Sequence, residues 1–328
     1  MKIYNFIILI SLIILSSCLE ADDLGSHFTT NPNGQVGKEK TISIDGSPSD
    51  WELSMKIAQN IANNDPRVFA HWSMHEIAMD DYALYAAYDD NNLYLMWEMT
   101  NMSDVVAGED FPISQGNLWI YNLPIFIFIS TQKGRGNGGI MVGGGTIWNS
   151  GITLEEKVDT IIALSTNGAN GPFIYHYDES LGAFPTETDD KYADSGITLK
   201  WGKGILDTQV FGIKACGSDN RKVEMDYSDS SEWIDFYAST SHNKELDMTY
   251  EMSIPLAKLG LTKDKIKNDG IGIIKVSTFG TSGMDCLPYD KSMSDNADQP
   301  YSKDSSTSKE KEDEDHITCK LARIGGTV

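Results

Sequence analysis

Six side chains in this sequence have the residue types and the near-loop positions that a small-ligand site needs. Tryptophan and tyrosine offer flat apolar rings, and asparagine offers a donor and an acceptor beside them. Sugar rings stack their apolar faces on such aromatics, while their hydroxyl groups need fixed polar partners. Because loops carry a large share of binding residues, we predict ligand-binding roles for Trp119, Tyr121, Trp148, Asn149, Trp72 and Trp201.

The competing interpretation for these aromatics is burial in the core. Leu118 and Ile120 flank Trp119, and Ile147 precedes Trp148, so both tryptophans also have apolar neighbours. We predict a core position for another tryptophan, Trp97, because it lies in the middle of a strand-like run.

Four carboxylates close together near the C-terminus suggest a cation. Ca²⁺ accepts six to eight oxygen ligands in flexible geometry, and acidic loops supply them. We therefore predict a structural calcium site at Asp285, Asp290, Asp295 and Asp298, with a solvated acidic loop as the alternative. The spacing does not match an EF-hand, and the turn at residues 89–91 offers a second, weaker set of oxygens.

Catalytic motifs are difficult to find. Glu98, Glu251 and Asp247 could supply a carboxylate pair for glycoside hydrolysis, but the sequence does not place two of them opposite each other. No Gly-x-Ser-x-Gly motif occurs, and His71 and His75 lack the glutamate of a metalloprotease. We predict that the protein is not an enzyme, with glycoside hydrolysis and haem binding through Met or His ligands as remaining alternatives.

The N-terminus and the charge point to export. An apolar run followed by Leu15-Ser16-Ser17-Cys18 resembles a bacterial lipobox, which implies removal of residues 1–17 and lipidation of Cys18. Residues 18–38 read as a flexible tether, and residues 39–328 as one elaborated domain. With 48 acidic and 26 basic residues and a net charge of −22, the chain is ill suited to nucleic acid or to an anionic membrane surface. We expect it on the outer membrane or cell surface, attached to the membrane through lipid alone.

The remaining cysteines are Cys216, Cys286 and Cys319, whose spacing fits no zinc motif. In an oxidising compartment they allow at most one disulfide. Cys286–Cys319 is the preferred pair, because it would close the loop-rich C-terminal region, and burial of all three as thiols is the alternative.

The elements that position these residues read as strands. Residues 82–88 and 93–100 flank an Asp/Asn turn and predict a β-hairpin with both faces covered. Further strands are predicted at residues 40–44, 123–130, 158–165, 172–177, 210–215, 233–237, 247–254, 270–279 and 317–324. Residues 270–279 are expected to pair with 247–254, residues 133–145 to form a glycine-rich hairpin loop, and residues 54–63 to form one short helix.

Two resemblances add to this reading. Ile-Ser-Ile-Asp-Gly at residues 42–46, Trp51, and the following hairpin resemble the opening of the family-9-like carbohydrate-binding modules and the DOMON-type sandwiches, which bind sugar or haem. Segments over nearly the whole mature chain, including residues 144–159 and 246–260, resemble non-catalytic regions attached to secreted bacterial α-amylases. These resemblances imply a sandwich fold and a role near starch, and the first also implies that Trp51, in the family's structural turn, lies in the core.

Together the residues predict an all-β protein, an antiparallel, jelly-roll-like β-sandwich with long decorated loops and one or two short helices. The predicted function is non-catalytic binding of a polysaccharide or oligosaccharide, with an α-glucan such as starch favoured and surface glycoside hydrolases as partners. The main alternative is a structural or assembly lipoprotein whose sandwich contacts another protein.

Overall fold

The computed structural model describes residues 37–59, 81–100, 124–132, 134–139, 152–165, 171–184, 195–206, 222–227, 230–235, 247–279, 282–290 and 316–326. Within them the chain is built almost wholly of strands, with a few 3₁₀ turns and one short helix, α1 (Lys263–Asp269). Thr262 caps α1 by accepting the N–H of Lys265, and Gly270 ends it. None of the described helices is long and apolar enough to span a membrane.

The first main sheet has six strands among the described residues. They are β1 (Lys38–Glu39), β2 (Lys56–Gln59), β3 (Asp81–Tyr88), β4 (Asn92–Thr100), β10 (Thr198–Lys203) and β13 (Asp247–Pro255). The order is β1-β3-β4-β13-β10, and β1 and β2 share one edge of β3. β3 and β4 form the predicted hairpin, in which Asp89 accepts the N–H groups of Asn91 and Asn92.

The second main sheet also has six described strands. They are β5 (Pro124–Ser130), β8 (Thr160–Ser165), β9 (Phe173–His176), β14 (Ile271–Phe279), β15 (Ser282–Leu287) and β17 (Ala322–Ile324). The order is β15-β14-β5-β8-β9, and β17 also pairs with β14. Two smaller sheets complete the set: β6 (Asn137–Gly139), β7 (Thr153–Val158) and β16 (His316–Ile317) form one, and β11 (Lys222–Tyr227) with β12 (Ser230–Asp235) the other.

The two main sheets pack face to face. One apolar cluster joins Leu84, Trp97 and Met252 of the first sheet to Ile127 and Ile273 of the second. Each sheet is also covered on its outer face, the first by the segment that carries Ile42, Trp51 and Met55, and the second by the β6–β7–β16 sheet. This layering confirms the predicted β-sandwich, and it explains why every residue of β3 is buried.

Three local predictions were wrong. Residues 54–59 form a 3₁₀ turn and strand β2 instead of a helix, because a bulge against β3 buries the consecutive Ile57 and Ala58 on one face and so imitates a helical period. β14 pairs with β5, β15 and β17 instead of β13, since the two strands lie in different sheets. The first strand is Lys38–Glu39, parallel to β3, and residues 40–44 run beyond it without strand pairing.

Glu52 provides a pH test of this outer layer. Its carboxylate pairs with the ammonium groups of Lys38 and Lys40, and these contacts lower its pKa from 4.5 to about 2. A depressed carboxyl pKa stabilises the fold above the unfolded value, and that contribution is lost as pH falls through about 2. The pair is exposed and screened, so the pKa is the sensitive readout.

We expect the ¹³C resonance of the Glu52 carboxyl to titrate with a midpoint of about 2. Lys38→Gln should move that midpoint upwards, towards 4.5. A wild-type midpoint already near 4.5 would show that the segment is not held as described.

Candidate functional site

Trp201 lies on β10, the outermost strand of the first sheet. Its relative exposure is 42 %, and the other large apolar side chains with high exposure in the described part are Leu53 and Leu181. Trp201 is therefore the one strongly exposed tryptophan or tyrosine among the described side chains, which do not include those of β11 and β12, and it is one of the six predicted ligand-binding residues.

Two buried aromatic rings support Trp201 from below. The Trp201 and Tyr250 ring centroids lie 6.2 Å apart at 28°, and those of Tyr250 and Trp97 lie 5.3 Å apart at 3°. The three residues are direct partners across β10, β13 and β4, so strand pairing fixes the spacing of the rings. We call Trp201, Tyr250 and Trp97 the aromatic ladder; its outermost ring is a pre-positioned, solvent-facing apolar platform.

The backbone beneath Trp201 is held by a glycine contact. A Cβ atom at Gly46, where φ is +87°, would come within 2.6 Å of the Trp201 carbonyl oxygen. A Cβ atom at Gly202 would come within 2.1 Å of the Gly46 carbonyl oxygen. The Asp45-Gly46-Ser47 turn thus lies directly against the edge strand, and only glycine permits this approach.

Glu251, on the outer face of β13, holds that turn. Its Oε2 atom accepts the N–H groups of Asp45 at 3.1 Å, Gly46 at 2.6 Å and Ser47 at 3.2 Å. Its Oε1 atom accepts the indole N–H of Trp51 at 2.7 Å. Burial raises the pKa of Glu251, and the Trp51 and backbone donors act against that rise. Glu251 thereby joins the Ile-Asp-Gly turn, Trp51 and the middle of the first sheet.

A buried ion pair lies between the two main sheets. The Lys275 ammonium on β14 donates to Asp81 on β3 and to the Ser277 hydroxyl, which itself donates to Asp81 Oδ2 at 2.9 Å. The Asp81 N–H donates to Asp285 Oδ2 at 2.8 Å. Both members of the pair have zero side-chain exposure. Burial raises the pKa of Asp81 and lowers that of Lys275, and the attraction between them opposes both shifts.

This ion pair also adjoins the aromatic ladder. The Lys275 Nζ atom lies 6.0 Å from the centroid of the Trp97 ring, which is within the range of a cation–π interaction. It also lies 3.7 Å from the Met99 sulfur. The inner end of the ladder therefore packs against a charge that bridges the two sheets, while the outer end faces solvent.

Two of the three carboxylates considered for catalysis have structural partners, and the side chain of the third, Asp247, is not described. Glu98 accepts the backbone N–H of Leu206 and the hydroxyl of Tyr85, and it has no exposed surface. Glu251 accepts four donors, as described. Both hold polypeptide segments against the outer face of the first sheet, which leaves little scope for acid–base work on a substrate.

Two of the predicted calcium ligands are described, and both hold backbone. Asp285 accepts N–H groups of Asp81 and Cys286, and Asp290 Oδ2 accepts the N–H of Thr318 at 2.7 Å and that of Cys319 at 2.6 Å. Asp295 and Asp298 lie outside the described residues. Across the described ranges no three acidic, His or Cys side chains are grouped to hold a metal ion. The calcium site stays a prediction.

Most of the predicted binding residues cannot be placed. Trp72, Trp119, Tyr121, Trp148, Asn149 and the lipidation residue Cys18 all lie outside the described residues. Their roles in ligand binding and lipidation stay predictions.

Sequence reasoning placed Trp51 and Trp97 in the core, and this is confirmed, with exposures of 3 % and 0 %. It missed Tyr250 as a support for Trp201, and it missed Glu251 as the acceptor of the Ile-Asp-Gly turn. The signal for Glu251 was present, because an acidic residue at an apolar-flanked position of a buried strand needs several donors. The pairing of Tyr250 with Trp201 across β13 and β10 could not be predicted without knowing the fold.

No protein-family model matches the chain, and no curated protein sequence matches it. The structure is similar to that of a carbohydrate-binding module of family 9 from Caldicellulosiruptor kristjanssonii in complex with glucose, with a TM-score of 0.32 and 12 % identity over 75 % of this chain and 78 % of that chain. It is similar to a family-9 module from the same organism in complex with cellotriose, with a TM-score of 0.33 and 13 % identity over 76 % of this chain and 77 % of that one. Both belong to the group that the Ile-Asp-Gly motif and hairpin of this chain resemble.

Proposed function

We propose that this protein is an exported, lipid-anchored, non-catalytic carbohydrate-binding protein of the outer membrane or cell surface. The observation that carries the proposal is Trp201, a solvent-facing indole stacked on Tyr250 and, through it, on Trp97. The C–H face of a sugar ring is apolar and flat, so it packs on an exposed indole ring while the hydroxyl groups remain in water or on polar partners.

The rigidity of the aromatic ladder favours a ligand-binding role for Trp201 over the interpretation that its exposure is incidental. A side chain that is already fixed before binding loses little conformational entropy when the ligand arrives. The Trp201 ring is held by Tyr250, and its backbone is held by the Gly46 contact. Such a platform gains most of the stacking energy without having to be ordered by the sugar.

The structural roles of the carboxylates on the strands support a non-catalytic function. Glu98 and Glu251 are buried and accept backbone donors, which fits a framework role. Binding alone would concentrate polysaccharide near surface glycoside hydrolases. The favoured ligand is an α-glucan such as starch, because the chain resembles regions attached to secreted α-amylases.

Retention on insoluble polysaccharides tests this function. We expect the protein to be retained on starch more than on cellulose or xylan, and Trp201→Ala to lower the affinity by at least about tenfold, or ~1.4 kcal/mol. Trp201→Phe keeps a smaller ring and should lose less. Trp119→Ala and Trp148→Ala, in the same assay, test the predicted residues that the structure does not describe.

Leu181→Ala is the matched control, because it also removes an exposed apolar side chain. Leu181 has an exposure of 66 %, follows β9 of the second sheet in the chain, and lies outside the aromatic ladder. It should leave retention unchanged. Equal retention of wild type and Trp201→Ala would show that Trp201 is not part of the binding site. Failure of the wild type on every polysaccharide would favour a structural or assembly lipoprotein that contacts another protein.

A further inference from the structure

Two strands of the second sheet bring distant cysteines to one place. β15 pairs with β14 at Lys275–Phe279, and β17 pairs with the same edge of β14 at Ile271–Ile273. The chain therefore leaves this edge after β15 and returns to it, one step further along, as β17. Cys286 is the penultimate residue of β15, and Cys319 lies shortly before β17.

The two thiols meet at a single acceptor. The Cys286 Sγ atom lies 3.0 Å from the Pro288 carbonyl oxygen, and the Cys319 Sγ atom lies 3.6 Å from the same oxygen. Both cysteines are reduced in this structure. Cys286 is fully buried, and Cys319 is partly exposed.

The backbone around both residues is already fixed. Asp290 Oδ2 accepts the N–H groups of Thr318 and Cys319 and the Thr318 hydroxyl. Asp285 Oδ1 accepts the N–H of Cys286 at 2.8 Å. Because Asp290 holds the segment of Cys319 against the segment that follows Cys286, a bond between the sulfurs needs side-chain adjustment and no rearrangement of the sheet.

We propose that Cys286 and Cys319 form a disulfide in the exported protein, closing the base of the segment that connects β15 to β16. Disulfides form and persist in oxidising compartments outside the cytosol. The bond closes a chain loop between the two residues, and such a constraint stabilises the fold mainly by restricting the unfolded chain.

The chemistry is a thiol–disulfide exchange with an oxidised disulfide donor such as glutathione disulfide. The Cys319 thiolate, the accessible one, attacks the donor, breaks its S–S bond and releases one glutathione thiolate. The Cys286 thiolate then attacks the Cys319 sulfur of the mixed disulfide and releases the second glutathione. Two electrons pass from the protein thiols to the donor, and the two protein protons end on the two glutathione molecules.

Cys286 is fully buried and Cys319 is partly exposed, so a soluble disulfide donor reaches the Cys319 thiol first. The order of the two steps follows from this difference in environment, with Cys286 acting as the resolving thiol.

The test uses the full chain equilibrated with reduced and oxidised glutathione, trapped with iodoacetamide under denaturing conditions and mapped by mass spectrometry. We expect one peptide pair joined through Cys286 and Cys319, and a Tm about 5 °C higher than that of the dithiothreitol-reduced protein. Cys286→Ser, which keeps a donor to the Pro288 carbonyl, and Cys319→Ser should each abolish the joined pair and the redox dependence of Tm.

Cys216→Ser is the matched control, since Cys216 is the one other cysteine after Cys18, and this variant should retain the joined pair and the Tm shift. Alkylation of both Cys286 and Cys319 after equilibration with excess glutathione disulfide would overturn the proposal. A crosslink from Cys216 to either of them would overturn it as well.

Discussion

Asp81→Ala is expected to lower the free energy of unfolding by about 3–5 kcal/mol, because it leaves the Lys275 ammonium buried without its carboxylate. Asp81 and Lys275 both have zero side-chain exposure, and Ser277 completes the hydrogen bonds of the pair. Removing one member of a buried pair costs more than removing both, since the remaining charge has lost its water and its partner. Urea unfolding followed by tryptophan fluorescence measures the change.

Two controls separate lost charge pairing from lost packing. Replacing both residues by apolar side chains of similar size, Asp81→Leu with Lys275→Met, should be less damaging than Asp81→Ala alone. The Asp81→Ala variant should also regain stability as pH rises towards 10. An unpartnered buried lysine has a pKa below its unfolded value, so its protonated form disfavours the fold and deprotonation relieves the cost. Equal stability of Asp81→Ala and wild type would contradict the inferred role of the pair.

Glu251→Ala should have a similarly large effect, about 3–5 kcal/mol, because four donors lose this acceptor and only the Ser47 N–H keeps another one, Asp45 Oδ1. These donors are the N–H groups of Asp45, Gly46 and Ser47 and the indole N–H of Trp51. The cost exceeds that of one hydrogen bond because an unsatisfied buried donor carries its own desolvation penalty of about 1–3 kcal/mol. Denaturant unfolding and the emission maximum of Trp51 report the loss.

The same change should indirectly weaken the sugar binding that we propose. Glu251 holds the turn that packs on the Trp201 backbone, so releasing the turn loosens the platform without touching the ligand. We expect Glu251→Ala to weaken retention on starch, while Trp51→Phe, which removes a single donor, should have a smaller effect on both properties. Normal stability in Glu251→Ala would show that the turn is held by other contacts.

The fold was predictable where local pattern and burial agree. The hairpin of β3 and β4 followed from an Asp/Asn turn between aromatic runs, and the full burial of both faces followed from the lack of a polar face on the second run. The helix prediction for the β2 segment was wrong because the bulge against β3 buries Ile57 and Ala58 together. Over so short a stretch, two consecutive buried residues cannot be distinguished from a helical period.

The candidate site was less accessible from the sequence. Trp201 was identifiable as an aromatic close to a loop, yet the support from Tyr250 depends on pairing between strands almost 50 residues apart. The partnership of Asp81 with Lys275 spans an even longer interval and crosses between sheets. Neither residue has a local signal beyond its charge in an apolar run, so these long-range pairs are set by topology.

The first and last described residues lie close together. A Cβ atom at Gly37, ahead of β1, would lie 3.0 Å from the side chain of Ile324 in β17. Both ends of the described part thus lie beside the last residues of β3 and away from the Asp81 end of the sandwich. A short peptide bridging these ends would create a circular permutant whose new termini can be opened at the Asp89–Asn92 turn. The order of strands along the chain, unlike their arrangement in space, is therefore open to redesign.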